Sequence, residues 1–327
     1  MRLVIGLAVA AAACAATPAF AACGKVSIGE MNWSSARVIA NIEKFVLQVG
    51  YGCKIEMIKT TTVPGVTSQV EKGTPDVISE TWINSIRSVF TKGVKEGRVV
   101  KAGDVLSDGG LEAWFIPKYL ADKHPEIKTV EDLKRNWKLF ADPENPGKGR
   151  FHNCPAGWGC RLVNDNMFKA YGMGDTFVNF DPGSGDGLKG SIAKAYEQKQ
   201  AWVGYYWAPT AILGRYKMVQ LKLNPSDPVG HACNTKKDCS KPHAGSYPPS
   251  RVLSTTTKAF SVSHPAEFAF IAKVSIPNAT MNAILAWGEK NQGKGAEMAG
   301  YFMQTQKSLW RKWMPADVAK KVEAALK

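Results

Sequence analysis

Beyond its first 20 residues the sequence has no apolar run long enough to span a bilayer, for which about 20 residues are needed. Lysine and arginine outnumber aspartate and glutamate by 42 to 28, for a formal net charge of +14, yet no basic cluster stands out. Scattered charge of this kind indicates solubility and some attraction to acidic surfaces, not a nucleic-acid-binding protein. The 30 glycines follow no period, and 45% hydrophobic residues exceed what disordered chains contain. Collagen, coiled coil and extensive disorder are therefore excluded.

Several signatures of catalysis are also missing. The sequence has no Ser/His/Asp set with a nucleophile elbow and no C-x-x-C-H haem motif. The glycine-rich run at 181–190 (DPGSGDGLKG) does not have the spacing of a phosphate-binding loop, so we interpret it as a flexible turn. These absences predict a protein that is not an enzyme and that holds no cofactor.

The first 21 residues have the pattern of a signal peptide. Arg2 supplies a positive charge, residues 4–16 are apolar, and Ala19-Phe20-Ala21 forms a small-x-small cleavage site. A membrane anchor is the alternative, but the apolar run is short and rich in alanine. The sequence therefore predicts export, with the mature chain starting near Ala22 or Cys23.

The cysteine count agrees with export, because Cys14 leaves with the signal peptide and an even number remains: Cys23, Cys53, Cys154, Cys160, Cys233 and Cys239. An even number in an oxidising compartment indicates disulfides. Fifteen pairings are possible, but the close spacings favour 154–160 and 233–239, which leaves 23–53. Lipidation of Cys23 is an alternative, although it would leave Cys53 unpaired and Phe20 suits a lipidation motif poorly.

Zinc is the alternative for the second close pair. His231, Cys233, Cys239 and His243 are all residue types that ligate zinc. In an oxidising compartment, with prolines and lysines between them, a disulfide-stapled surface loop is the preferred interpretation of residues 224–250. No metal site is predicted.

Strand and helix patterns alternate along the chain. Strands are expected over Lys25–Gly29, Lys54–Lys59 and Asp76–Trp82, with helices between them; the first helix has an apolar stripe through Val38, Ile42 and Val46 and is expected to stop at Gly50. This order implies a parallel sheet with crossover helices. Further strands are expected at 111–116, 176–180 and 202–207, again with helices between them, and the tail beyond 265 is mostly helical. The pattern predicts an α/β protein with two lobes.

Ten tryptophans are present, and five of them lie where a strand meets a loop: Trp33, Trp82, Trp114, Trp158 and Trp207. Ligands of open α/β sheets bind beyond the carboxyl ends of the strands. A methylated cation cannot donate N–H hydrogen bonds, so aromatic faces, of which that of tryptophan is the strongest, are suited to hold it. Packing is the alternative for any single tryptophan. The five together predict an aromatic cage for a quaternary ammonium group.

A second motif is the loop His152–Cys160 (HNCPAGWGC). Cys154 and Cys160 would staple a tight loop that opens onto a helix beginning near Arg161. The backbone N–H groups of Gly159 and Cys160 at that helix start are suited to bind a carboxylate, while Trp158 faces the cation. A disulfide that only tethers the helix is the alternative.

The segment CPAGWGC at 154–160, with 76–82 before it and YYWAP at 205–209 after it, resembles the periplasmic glycine betaine and choline-binding proteins of ABC transporters. The resemblance covers residues 24–327. It implies a type II periplasmic binding protein: two α/β lobes joined by two crossing strands, with a ligand cleft between them. Lobe 1 would contain residues 24–112 plus 214–327, and lobe 2 would contain 113–213.

The resemblance also implies roles for the site residues. It implies that Trp82, Trp158 and Trp207 form the tryptophan box, and that Gly159 and Cys160 donate backbone N–H groups to a carboxylate. Choline-binding relatives place aromatic residues at the positions of Trp33 and Trp114, which extends the set to five rings.

One position departs from the pattern of the family. Glycine betaine binders carry a histidine four residues after the first box tryptophan, where this chain has Ile86, so a weaker hold on an anionic end is expected. Asn84 is the next candidate for that role. Glu80, two residues before Trp82 on the same strand face, is predicted to contribute a negative charge or a hydrogen-bond acceptor; a solvated or capping acid is the alternative.

The sequence thus predicts a periplasmic, monomeric substrate-binding protein that captures glycine betaine, choline or a similar quaternary ammonium compound for an ABC permease of the inner membrane. One alternative keeps the fold and changes the ligand to trimethylamine N-oxide, carnitine or a sulfonium zwitterion. Another is a secreted enzyme that acts on a methylated amine. A third is a chemoreceptor partner or regulatory binding protein that has no role in transport.

Overall fold

The computed structural model describes residues 23–326. The predicted signal peptide and Cys14 lie outside these residues. The strands of the described part, in chain order, are β1 (Lys25–Met31), β2 (Lys54–Thr60), β3 (Val77–Trp82), β4 (Val99–Asp104), β5 (Leu111–Pro117), β6 (Ala141–Asp142), β7 (Asn145–His152), β8 (Phe177–Phe180), β9 (Gly204–Ala208), β10 (Met218–Gln220) and β11 (Val252–Thr257).

Helices connect and cover these strands. In chain order they are α1 (Ser34–Tyr51), α2 (Thr62–Lys72), α3 (Arg87–Lys95), α4 (Lys118–Lys123), α5 (Val130–Arg135), α6 (Gly159–Ala170), α7 (Gly185–Gln198), α8 (Ala211–Arg215), α9 (Pro228–Asn234), α10 (Lys258–Ser263), α11 (Pro265–Lys273), α12 (Asn278–Asn291), α13 (Gly295–Thr305), α14 (Lys307–Trp310) and α15 (Ala316–Ala324). Within the described residues, none of them combines the length and the hydrophobicity needed to cross a membrane.

The strands form two mixed sheets, one in each lobe. The sheet of lobe 1 has the order β2-β1-β3-β11-β4, in which β1 is parallel to β2 and β3, and β11 is antiparallel to β3 and β4. The sheet of lobe 2 has the order β10-β5-β9-β7-β6, with β8 added beside β7. The parallel start that the sequence predicts is therefore present in lobe 1. In lobe 2, β7 is parallel to β8 and β9, whereas β5 is antiparallel to β9 and β10, and β6 is antiparallel to β7.

Helix α1 shows how the local sequence determines an element. Its apolar stripe, which includes Val38, Ile42 and Val46, is fully buried against the sheet of lobe 1. The helix ends two residues later than predicted, at Gly52, which has the left-handed φ of 74°. Gly50 instead allows close packing of α15, because a Cβ there would lie 2.7 Å from a methyl carbon of Val318.

Two adjacent chain segments join the lobes. The backbone N–H of Gly110 donates to the Ser250 carbonyl at 2.7 Å, and the N–H of Ser250 donates back at 3.2 Å. Residues 214–249, which the sequence analysis assigned to lobe 1, lie on the other side of this crossing: β10 pairs with β5, and α9 packs on α6. Residues 214–249 therefore pack with lobe 2 before the chain returns to lobe 1 through β11.

The three predicted disulfides are present: Cys23–Cys53, Cys154–Cys160 and Cys233–Cys239. The first ties the start of β1 to the start of β2, because Cys23 and Cys53 directly precede these two neighbouring strands. Since the sulfurs of the 233–239 pair are bonded to each other, they are not zinc ligands.

The core of lobe 1 contains a buried carboxyl group. Glu43 of α1 is fully buried and accepts hydrogen bonds from the hydroxyls of Ser79 on β3 and Ser254 on β11. Burial raises the pKa of Glu43 to about 8, against the weaker lowering effect of the two hydroxyls. The protonated form is therefore favoured in the folded protein.

This carboxyl is expected to make stability depend on pH. Because the folded pKa lies above the unfolded value, Glu43 stabilises the fold below pH 4.5, and that contribution is lost as the pH rises to about 8. Between pH 5 and pH 8.5 the wild type should lose on the order of 2–4 kcal/mol more unfolding free energy than Glu43→Gln. Urea unfolding at both pH values measures this difference. An equal difference between the two proteins at both pH values would contradict it.

Candidate ligand-binding site

A small cavity lies between the lobes at the carboxyl ends of several strands. Its free volume is about 20 Å³, so a ligand enters only if the lining groups move apart. Lobe 1 and lobe 2 contribute about equally to its wall, which is formed by Trp33, Thr62, Trp82, Ser85, Glu112, Trp158, Gly159, Cys160, Tyr205 and Trp207. We call Trp33, Trp82, Trp158 and Trp207 the cage.

The cage rings are largely buried and contact one another. Trp158 lies in the middle: its ring centroid is 5.2 Å from that of Trp33 and 5.1 Å from that of Trp207, both in edge-to-face geometry. Trp33 follows β1, Trp82 ends β3 and Trp207 lies in β9. Four of the five tryptophans that were predicted from their positions near strand ends thus line one cavity.

Glu80 holds two of the rings from behind. Its Oε1 accepts hydrogen bonds from Nε1 of Trp33 at 2.7 Å, from Nε1 of Trp82 at 2.8 Å and from the Ser35 hydroxyl at 3.1 Å. It is fully buried, and burial raises its pKa. Glu80 does not line the cavity, so the structure gives it a positioning role in place of the predicted ligand contact.

Hydrogen bonds between the lobes hold Trp158 and the loop before it. Nε1 of Trp158 in lobe 2 donates to Oδ1 of Asn32 in lobe 1 at 2.7 Å. The backbone N–H of Val63 donates to the Gly157 carbonyl at 3.0 Å. The position of Trp158 is therefore linked to closure of the two lobes.

Glu112, which was not predicted from the sequence, lies on β5 in the wall of the cavity. The residue is 4% exposed; its Oε1 accepts from Ser85 Oγ at 2.8 Å and from the Tyr205 hydroxyl at 2.9 Å. Within the described residues its Oε2 is buried without a hydrogen-bond partner. Burial raises the pKa of Glu112 to about 7, and the two hydroxyls lower it less. The sequence feature that could have identified Glu112 is a single acidic residue within an otherwise apolar strand (LEAWFIP).

Trp114, by contrast, was wrongly expected in the cage. It is fully buried in lobe 2, where its Nε1 donates to Oδ1 of Asn164 at 2.8 Å and its ring packs on Phe151 and Tyr171. Trp114 and Glu112 share a face of β5 because they are two residues apart. Along that face, Glu112 lies nearer the crossing between the lobes, whereas Trp114 lies beneath α6.

The first turn of α6 forms another part of the wall. Gly159 and Cys160 line the cavity as predicted, and the first N–H groups of a helix have no acceptor within it. The position that lacks the family histidine and the predicted substitute for it both lie elsewhere. Ile86 is buried outside the cavity wall, and the side chain of Asn84 donates to the carbonyls of Pro248 and Pro249.

Gly159 also sets how closely the lobes approach. A Cβ at this position would lie 2.4 Å from the carbonyl oxygen of Ser85 in lobe 1. Gly159→Ala is therefore expected to weaken ligand binding at least tenfold, because the lobes close incompletely. The melting temperature of the ligand-free protein should change by less than about 2 °C, since the substitution is mild within a helix. Calorimetric titration and thermal unfolding measure the two quantities. Unchanged affinity would contradict this account of closure.

A larger cavity of about 420 Å³ lies beside the cage and shares Trp33 and Trp207 with it. Its other walls include Lys189 and Arg215 of lobe 2 and Glu289 of lobe 1. Mixed charges and only two cage rings make it a poorer place for a methylated cation. The smaller cavity is the candidate site.

Comparison with known proteins decides the family. A family profile described as the substrate-binding domain of ABC-type glycine betaine transport systems matches residues 24–305. The chain belongs to this family. Members of the glycine betaine transport family are substrate-binding proteins of transporters and not enzymes, and they work with the permeases of ABC transporters. The resemblance predicted from the sequence is confirmed.

Individual relatives are named for different ligands. The chain is 23% identical to the trimethylamine N-oxide-binding protein of Pelagibacter ubique, over 85% of this chain and 87% of that protein. Among solved structures it is similar to the glycine betaine and L-proline-binding protein of Borrelia burgdorferi (TM-score 0.73, 17% identity, 91% of this chain and 99% of that one). It is also similar to a choline-binding protein in complex with choline (TM-score 0.71, 17% identity, 93% and 99%). These likenesses confirm the two-lobe fold of type II periplasmic binding proteins.

Proposed function

We propose that this protein binds a small compound with a trimethylated nitrogen, such as choline, and delivers it to the permease of an ABC importer. The observation that carries the proposal is the convergence of four tryptophans from both lobes on one cavity. A trimethylammonium group offers no N–H donors and is held by ring faces, each worth about 2 kcal/mol when the contact is desolvated. Closure of the lobes around the ligand supplies this desolvation.

The polar wall of the cavity indicates what the other end of the ligand carries. Glu112 presents an unpartnered carboxyl oxygen, and the start of α6 presents N–H donors. A hydroxyl group on the ligand suits this pair, because it can donate to the Glu112 oxygen and accept from the N–H groups of α6. A carboxylate, as in glycine betaine, would face another carboxyl group, which favours it less.

Trimethylamine N-oxide is the second candidate. Its oxygen can only accept, and Glu112, whose pKa is raised by burial to about 7, supplies a proton to it when protonated. The N–H groups of the α6 start would stabilise the same oxygen. The relative from Pelagibacter ubique supports this candidate by its name.

We propose further that the chain is exported to the periplasm and acts there as a monomer. The signal-peptide pattern of residues 1–21 supports export. The three disulfides support an oxidising compartment.

A titration panel tests the proposed ligand class. Choline and trimethylamine N-oxide should bind at least tenfold more tightly than glycine betaine. Ethanolamine and glycine should give no measurable heat, because an NH₃⁺ group loses water without gaining a hydrogen bond from the rings. If a demethylated compound binds as tightly as its trimethylated counterpart, the aromatic-cage assignment is wrong.

A further inference from the structure

The stapled segment, residues 224–250, contributes no residue to the wall of the candidate cavity. It contains α9 and the Cys233–Cys239 disulfide, and it packs on α6 of lobe 2. We infer that the stapled segment positions the polar wall of the cavity and thereby selects among ligands by the end opposite the trimethylated nitrogen. This inference rests on the proposed function and names what determines its specificity.

The stapled segment contacts lobe 1 next to the cavity. His231 is buried, and its Nε2 lies 3.0 Å from the carbonyl oxygen of Asn84; since a carbonyl only accepts, Nε2 carries the proton. The side-chain amide of Asn84 donates in turn to Pro249 at 2.8 Å and Pro248 at 3.3 Å. The next residue, Ser85, donates to Glu112. The stapled segment therefore fixes the backbone that carries one of the two partners of Glu112.

The other partner is supported in the same way from lobe 2. Tyr247 is buried, and its ring lies 5.7 Å from the ring of Tyr205, the second donor to Glu112. The Tyr247 hydroxyl donates to Oδ1 of Asn164 at 3.0 Å and lies 3.4 Å from the carbonyl of Cys160. It thus packs behind both the carboxyl site and the first turn of α6.

Three of the four cage rings are held by hydrogen bonds to other residues. Glu80 receives the indole N–H groups of Trp33 and Trp82, and Asn32 receives that of Trp158. None of these anchors belongs to the stapled segment. Changes in the segment are therefore expected to alter the polar wall and leave these three cage rings in place.

Choline and tetramethylammonium separate the two effects, because tetramethylammonium has the methylated cation without a polar end. His231→Leu and Tyr247→Phe should each weaken choline binding five- to tenfold and tetramethylammonium binding less than twofold. His231→Gln should retain choline affinity within twofold of wild type, because its amide can donate to the Asn84 carbonyl. His243→Leu is the matched control in the same segment, since only its backbone hydrogen-bonds there; it should change neither affinity.

The outcomes distinguish this inference from the proposed function. Equal losses for both ligands in His231→Leu and Tyr247→Phe would mean a purely structural role and would overturn the inference. Unchanged choline affinity in both variants would overturn it too. If wild-type protein binds neither choline nor tetramethylammonium, the proposed function itself fails, and the inference fails with it. Thermal unfolding of each variant confirms that the folded protein is being compared.

Discussion

Trp158→Ala is expected to weaken binding of a trimethylated ligand by about 2–4 kcal/mol, or roughly 30- to 1,000-fold. Three contacts are lost at once. The ring contributes a face of the cage, it packs edge-on against Trp33 and Trp207, and its N–H bridges to Asn32 of the other lobe. The substitution therefore removes cation–π attraction and one contact that closes the lobes.

Trp82→Ala and Trp207→Ala should fall in the same range, because both rings line the cavity. Trp287→Ala is the matched control: this ring stacks on Tyr301 at 4.3 Å and lies outside the cavity wall. It should leave affinity within twofold of wild type, whatever its effect on stability. Isothermal titration of the four variants with one trimethylated ligand measures this. A loss at Trp287 as large as that at the cage positions would contradict the assignment.

The pH dependence of binding is expected to identify the polar end of the ligand. Glu112 changes charge near pH 7, because burial raises its pKa to about that value. A choline hydroxyl donates to the ionised carboxylate and the cation favours that charge, so choline affinity should rise between pH 6 and pH 8. An N-oxide or carboxylate oxygen needs the protonated form, so the affinity of such a ligand should fall over the same interval. The limiting slope is about tenfold per pH unit.

Glu112→Gln tests the same group directly. The amide cannot titrate, so the affinity should become nearly independent of pH between 6 and 8. Choline should bind more weakly to the variant, because a negative charge is lost beside the cation, whereas trimethylamine N-oxide should be retained by the amide donor.

Glu43→Gln is the matched control for this titration. Its buried carboxyl also has a raised pKa, but it lies in the core of lobe 1 away from the cavity. The affinity of this variant should follow pH as the wild type does. A wild-type pH profile in Glu112→Gln would show that another group carries the proton.

The sequence alone predicted the strand ends, the loop before α6 and the closely spaced disulfides, because each depends on neighbouring residues. The strand ends that carry Trp33, Trp82 and Trp207 follow from apolar runs broken by turn residues, and the loop before α6 follows from its cysteines and glycines. Close spacing was enough for the disulfide pairs, because a bridge needs only a short approach between two residues. Four cage rings were predictable for these reasons.

Strand β7 forms although its local sequence has low strand propensity. Its sequence, NPGKGRFH, contains proline and two glycines and is typical of a loop, yet it pairs with β8 and β9. Gly149 permits this pairing, since a Cβ there would lie 2.6 Å from the ring of Phe177. The extended conformation of β7 therefore depends on pairing with β8 and β9, which are distant in sequence, and not on the residues of β7 itself.

The polar wall depended wholly on the tertiary structure. Glu112 and Trp114 lie on the same face of one strand, and only the position of the lobe crossing decides that the carboxyl faces the cavity while the ring lies in the core. Likewise, the stapled segment lies more than 100 residues from Ser85 and Glu112 in the chain and reaches them only because it folds onto α6. The sequence alone determined which chemistry the cage offers the cation, because ring identity and strand ends are local. The placement of the acid at the other end was decided by packing between the lobes, which no local pattern records.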